Sequence, residues 1–405
     1  MYAEFVVFAA FAFLYSVVAG RLERTMISGP IVFMAFGFLI GPFAFSWVEV
    51  DITNRDLRML ADLTLALVLF IDAANSDLSV HKASTLVPRR MLIFGLPGTI
   101  ALGFVVGLLL FDGLGVYQLA ILATMLAATD AALGKAVITN KNVPPHIREG
   151  LNVESGLNDG LCVPILFVFI ALAEASGVET DSTALALTLV AREIGIGLVV
   201  GLGITLLGGY LIHWCYKRGW ITEIWIQIPV IMLAITCFAL AQTLHGSGYI
   251  AAFVGGILFG FLAKKDTHKL IIPAEGVGEA LAMLTWIVFG AAVIGQSFAF
   301  FDWKVVLYAV LSLTVVRMLP MFVSLAGTGE TTQSKLFLGW FGPRGLASLV
   351  FAIIVLNTEL PGTDLMAMVV VCTVFLSAVA HGVTANPFAS ALAAKVARDG
   401  GSAGK

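Results

Sequence analysis

Apolar positions in this chain cluster into long runs. Stretches near the 20 or so residues a helix needs to cross a bilayer recur at roughly 3–20, 27–47, 58–76, 90–111, 116–138, 148–175, 186–214, 222–244, 247–264, 276–297, 303–327, 333–357 and 364–393. Short polar connections separate them, with no low-complexity linker and no second domain. The pattern predicts an all-α polytopic membrane protein of about 13 transmembrane helices, the last running on into an amphipathic tail.

Composition agrees. The chain is 59% hydrophobic and 12% charged, against roughly 25% charged in soluble domains, and its mean hydropathy is +0.98. A net charge of −3, without a basic patch, gives no footing for nucleic acid. Cys162, Cys215, Cys237 and Cys372 all fall in or beside apolar runs, at neither disulfide nor zinc spacing, and read as small hydrophobes. Glu4 and the lack of a positive leader make the first run a retained span rather than a signal peptide.

Lysines and arginines set the orientation. Sixteen fall in one set of connections: Arg21, Arg24, Lys82, Arg89, Arg90, Lys141, Arg148, Lys217, Arg218, Lys264, Lys265, Lys269, Lys335, Lys395, Arg398 and Lys405. The alternate set holds Arg55, Arg58, Arg192 and Lys304. The expected topology is a multi-pass protein of the cell (inner) membrane, with the N-terminus outside and the C-terminus cytoplasmic.

Two runs are interrupted. The fifth carries Ala127-Ala128-Thr129-Asp130-Ala131-Ala132, and the twelfth carries Gly339-Trp-Phe-Gly342-Pro343-Arg344-Gly345. Proline removes a helix hydrogen bond, and glycine loosens the chain. Broken helices at matching places in two halves mark an inverted-repeat transporter with its site where they cross. Spans one to six and eight to thirteen would be the halves, and the odd linking span gives them opposite topology.

The richest chemistry lies at Asn152 to Asp159, where Glu154, Ser155, Asn158 and Asp159 enter an apolar run. Ser155 and Asp159 are i,i+4 neighbours, as are Glu154 and Asn158 on the next face. Ionisable groups at membrane depth are costly and persist where they line a pathway or pair with a charge. Oxygen groups of this kind suit a hard cation. Lys135, Arg317 and Arg344 also lie within spans, as do Asp72 and Asp130; Asp62 sits near a helix start, where an acid offsets the dipole. His213, His245, His268 and His381 lie near span ends and carry no assigned role.

Three motifs together carry a resemblance: Thr129-Asp130, the run Glu154-Ser-Gly-Leu-Asn158-Asp159-Gly160, and Gly342-Pro-Arg344-Gly345. On them the chain resembles NhaP-type sodium/proton antiporters of the monovalent cation/proton antiporter superfamily, relatives of the animal sodium/proton exchangers. The resemblance covers the whole membrane domain. It implies sodium/proton exchange with no cofactor, and a sodium site at Asp159, Ser155 and the Thr129 carbonyl, with Asp130 nearby. Asp72 would match a third-span acid that contacts the cation, and Asn158, grouped with these cation-binding residues, marks the Asn-Asp form of electroneutral members. Glu154 would pair with Arg317. Arg344, with Lys135 a further candidate, would compensate the dipoles of the broken helices. A homodimer in the lipid bilayer is implied too. In it a core of about 86–185 and 301–393 would move against a scaffold of about 1–85 and 186–300, within one transporter domain spanning 1–405. Ala131 departs from the pattern, since many members have proline after Thr-Asp.

The residues suggest the mechanism as well. A proton and a cation would compete for one carboxylate, Asp159, and either neutralises one charge. With Glu154 balanced by Arg317, exchange would be electroneutral, one to one, by alternating access. Potassium or lithium in place of sodium is the alternative within this reading. A cation channel, or an intramembrane hydrolase using Asp130 and Asp159, stands outside it. A channel would repeat its lining around an axis, and an aspartyl pair needs carboxyls that nearly touch.

Overall fold

A computed structural model describes residues 2–22, 25, 28–47, 55–76, 86–140, 143–176, 182–263, 267–294 and 301–402. Arg24, Lys82, Lys141, Lys264, Lys265 and Lys405 lie outside the described residues, as do the side chains of Arg55, Lys135, His268, Lys269 and Arg398.

Helices are the only regular elements among the described residues. In chain order they are α1 (Tyr2–Leu22), α2 (Gly29–Ile40), α3 (Arg55–Asn75), α4 (Leu86–Leu110), α5 (Val116–Met125), α6 (Ala131–Ile138), α7 (Pro145–Ala175) and α8 (Ser182–Lys217). There follow α9 (Pro229–Thr243), α10 (Gly248–Ala263), α11 (Thr267–Phe289), α12 (Trp303–Ser324), α13 (Thr332–Trp340), α14 (Leu346–Leu356) and α15 (Thr363–Ser402). A helix stands at each predicted stretch. By length and composition, seven of the described helical segments are long and apolar enough to cross a membrane, and the apolar helices of α1, α2, α5, α10 and α14 are shorter.

Both interruptions fall where the sequence placed them. Between α5 and α6 the chain leaves helical geometry at residues 126–130, and between α13 and α14 at residues 341–345. The second break contains Pro343 and two glycines; the first has no proline, and Ala131 starts a new helix. Side chains from α7 and the second break take up its freed backbone groups, as the site geometry below shows, so unwinding there needs no proline.

Three further irregularities were not expected; one is a π-turn at Gly290–Ile294, directly after α11. Within α4 and α12, π-turns occupy Met91–Gly95 and Ser312–Val316. Pro97 and Pro320 follow them, and a proline ring crowds the carbonyl four residues back, so the wider turn accommodates it. The turn in α12 ends directly before Arg317. A π-turn adds one residue to the helical register, which rotates the face on which the following side chains emerge.

Packing sorts the helices into two groups. In one, α10 packs on α3, α8 and α9, while α11 packs on α2 and α3. In the other, α5 packs on α4 and α7, and α15 packs on α6, α12 and α14. The groups meet largely along α7, against α3, α8 and α10. At that seam Ala73, Leu157 and Phe253 form a small buried apolar cluster of their own.

Candidate functional site

The two breaks cross within hydrogen-bonding reach. Asp130 donates its backbone N–H to the Pro343 carbonyl at 2.8 Å. Its carboxylate accepts the Leu346 N–H at 2.8 Å and the Leu133 N–H at 3.1 Å. One acid thus caps the N-termini of both α6 and α14, where unpaired N–H groups and the positive dipole end favour an anion. Gly345 makes this approach possible, since a Cβ there would fall 1.9 Å from an Asp130 oxygen.

Arg344 serves the opposite polarity. Its Nη1 donates to the Ala127 and Ala128 carbonyls, each at 3.3 Å, just beyond the C-terminal end of α5. A buried cation at the negative end of a helix complements the dipole. The structure therefore gives Asp130 and Arg344 complementary places at the crossing.

From α7, three side chains grip the first break. Asp159 accepts the Thr129 N–H at 3.0 Å, and the Ser155 hydroxyl donates to the Thr129 carbonyl at 3.1 Å. The Asn158 amide nitrogen faces the Ala127 carbonyl at 3.1 Å, Thr129 Oγ1 at 3.2 Å and Glu154 Oε1 at 3.0 Å. Cys162 Sγ donates to its amide oxygen at 3.2 Å. Asn158 is fully buried, with its amide nitrogen directed to the break and to Glu154. There it ties α7 to the broken helix.

The two acids of α7 have different surroundings. Glu154 and Arg317 are each 1% exposed and form a bidentate pair at 2.7 and 3.0 Å. Such planar two-point pairing is the strong form of a charge-assisted contact. Gly342 leaves room for the guanidinium, because a Cβ would lie 2.4 Å from it. Asp159, by contrast, lines a cavity of about 310 Å³. Among the described residues no lysine or arginine forms an ion pair with it.

That cavity also touches Asp72 and Asn75 of α3, Asp130, Asn152 of α7, and Glu275 and Glu279 of α11. Its lining reaches Asn75 at the end of α3, Asn152 about two turns into α7, and Thr139 after α6. Asn75 donates to Glu275 Oε1 at 2.7 Å. The two glutamates were missed by sequence reading, although their i,i+4 spacing beside an apolar run is the same signal that marked Ser155 and Asp159. Lys135 lies on α6, and its side chain is outside the described residues. His381 lies not at a span end but inside α15, 1% exposed.

The arrangement offers a monovalent cation one carboxylate, one hydroxyl and one backbone carbonyl, at a break whose dipoles are already compensated. Asp72 adds a second carboxylate on the same cavity. Both carboxylate oxygens of Asp130 already accept backbone N–H groups, which suits a helix-orienting role better than a ligand role.

Comparison with known proteins bears on this geometry. Residues 7–391 match the family described as "Sodium/hydrogen exchanger, transmembrane". The chain is 22% identical over 375 residues to the K(+)/H(+) antiporter NhaP2 of Shewanella sp. (strain MR-4), covering 92% of this chain and 64% of that one. It is 24% identical over 353 residues to a Na(+)/H(+) antiporter of Schizosaccharomyces pombe, covering 82% and 74%. The chain thus spans 64% of the length of the first of these curated relatives. Among solved structures, the sodium proton antiporter MjNhaP1 of Methanocaldococcus jannaschii at pH 8 has a TM-score of 0.75 at 19% identity, covering 93% of this chain and 97% of that one.

Proposed function

The chain belongs to the sodium/hydrogen exchanger family, and from that premise we propose that it exchanges sodium for protons, one for one, at Asp159. The family is one of transporters, not enzymes. The observation that carries the reading is the contrast on α7: Glu154 is closed off by Arg317, while Asp159 faces the cavity.

Burial disfavours a charged carboxylate, and a bound cation restores the balance. Proton and cation therefore compete for the same oxygens, with Ser155, the Thr129 carbonyl and Asp72 as the cation's other contacts. Either ligand neutralises one charge on Asp159. Glu154 and Arg317 keep theirs throughout, so no net charge crosses per cycle.

The division into two packing groups supports alternating access. The group around α5 and α15 acts as the moving core, and the group around α10 as the scaffold, in a homodimer. By the distribution of basic residues, the cavity faces the cytoplasm. Potassium is the second reading, favoured by the relative named as a K(+)/H(+) antiporter.

Proton movement driven by sodium or by potassium in proteoliposomes, with the voltage clamped or free, tests the proposal. Exchange indifferent to voltage and lost in Asp159→Asn is expected. A cation-dependent current would overturn the one-to-one cycle, and exchange surviving in Asp159→Asn would overturn the site.

A further inference from the structure

The second break has its own clamp, on α15. His381 Nε2 lies 2.9 Å from the Trp340 carbonyl, the last of α13. A carbonyl only accepts, so Nε2 carries a proton and donates. That carbonyl also accepts the Gly342 N–H at 2.8 Å within the break. One turn earlier on α15, Ser377 Oγ accepts the Arg344 N–H at 2.6 Å.

Ser377 and His381 also meet each other. Nδ1 lies 3.1 Å from Ser377 Oγ and 2.9 Å from the Ser377 carbonyl. A neutral ring would accept the serine proton at Nδ1, and an imidazolium would donate there to the carbonyl. Either form leaves the bond to Trp340 intact. The ring is enclosed by Trp340, with centroids 5.0 Å apart, and by Phe341 at 6.3 Å.

Residues 340 and 344 are therefore pinned one turn apart on α15, and the first break hangs from the segment between and beside them. The Pro343 carbonyl accepts from Asp130, Leu346 donates to Asp130, and Arg344 holds Ala127 and Ala128. Asp130 adjoins Thr129, whose N–H and carbonyl meet Asp159 and Ser155. A displacement at Trp340 or Arg344 reaches the Thr129 carbonyl along the chain and through one hydrogen bond, from the Asp130 N–H to the Pro343 carbonyl.

We propose that His381 and Ser377 are positioning residues for cation binding, fixing the second break so that the first presents Thr129 correctly to Asp159. This rests on the antiport reading above. Neither residue touches the proposed cation oxygens, so they act on affinity through the backbone.

The test uses the full chain in proteoliposomes, driven by sodium, or by potassium if that drives the unaltered protein. His381→Leu and Ser377→Ala should raise the apparent KM for the cation about tenfold, the size of effect one lost buried hydrogen bond produces. The rate at saturating cation should change far less. His381→Gln, whose amide can still donate to Trp340, should recover most of the affinity. A merely structural role would instead lower the amount of active protein at unchanged KM. The proposal is overturned if KM stays unchanged in both His381→Leu and Ser377→Ala, or if His381→Gln fails as badly as His381→Leu. If His381→Leu does not fold, Ser377→Ala decides alone. Exchange persisting in Asp159→Asn, run alongside, would overturn the antiport reading instead, so the two failures are distinguishable.

Discussion

At the first break, α7 offers Ser155 and Asp159, four residues apart, to the backbone of residue 129; at the second, α15 offers Ser377 and His381, also four apart, to residues 340 and 344. Both pairs do the same structural work, since unwound backbone in a membrane must find partners inside the protein. The finish differs. Asp159 lines a cavity with other acids, while His381 is shut in among aromatic rings. Holding a broken helix takes only polar groups one turn apart. Transport takes an ionisable one that solvent and cation can reach.

The most severe way to break this comparison is Asp159→Asn. Asparagine keeps an acceptor for the Thr129 N–H, so the clamp and the fold should survive. What disappears is the exchangeable charge, and cation-driven proton movement should fall to the level of empty liposomes. The first break would then resemble the second, held in place and inert.

Glu154→Gln should act on stability more than on chemistry. It leaves the Arg317 guanidinium buried opposite a neutral amide, and removing one partner of a buried pair costs about 3–5 kcal/mol. A large drop in thermal stability in detergent is expected, with part recovered by adding Arg317→Gln. Unchanged melting in the single variant would show that Glu154 is not held as a charged partner.

Gly345→Ala tests the contact between the breaks. The added Cβ would fall 1.9 Å from the Asp130 carboxylate, so backbone or acid must move. Forced fits of this kind cost about 1–3 kcal/mol. The variant should lose stability together with cation affinity, because Asp130 is covalently next to Thr129. Loss of stability at unchanged KM would separate the crossing from the site.

Much of this was legible before any coordinates. Hydropathy placed the helices, because bilayer thickness fixes their length, and Pro343 with its glycines announced the second break. The i,i+4 rule found Ser155 with Asp159 and paired Glu154 with Asn158. Local patterns do not, however, report what a side chain faces. Type and position group Asn158 with the cation-binding residues; what the pattern does not report is that its amide nitrogen meets Glu154 and the break. Ser377 and His381 carry the same spacing as the first pair, but sequence reading does not single out Ser377 and places His381 near a span end. The π-turn before Arg317 left no local mark apart from Pro320.

The smallest expected effect concerns the mouth of the cavity. Glu275 and Glu279 stand on α11, across the cavity from Asp159, and raise the local concentration of any cation. Glu275→Gln with Glu279→Gln should raise the apparent KM about two- to threefold at low ionic strength, a modest share of the steering that charged clefts achieve. Added inert salt should erase the difference, since the Debye length shrinks to about 3 Å at 1 M. Variants at Ser377 and His381 should show no such rescue, because their break is sealed and their effect passes through hydrogen bonds. A KM defect in the glutamate variant that persists in high salt would mean that Glu275 or Glu279 contacts the cation directly, and the first break would then share its ligands with the scaffold.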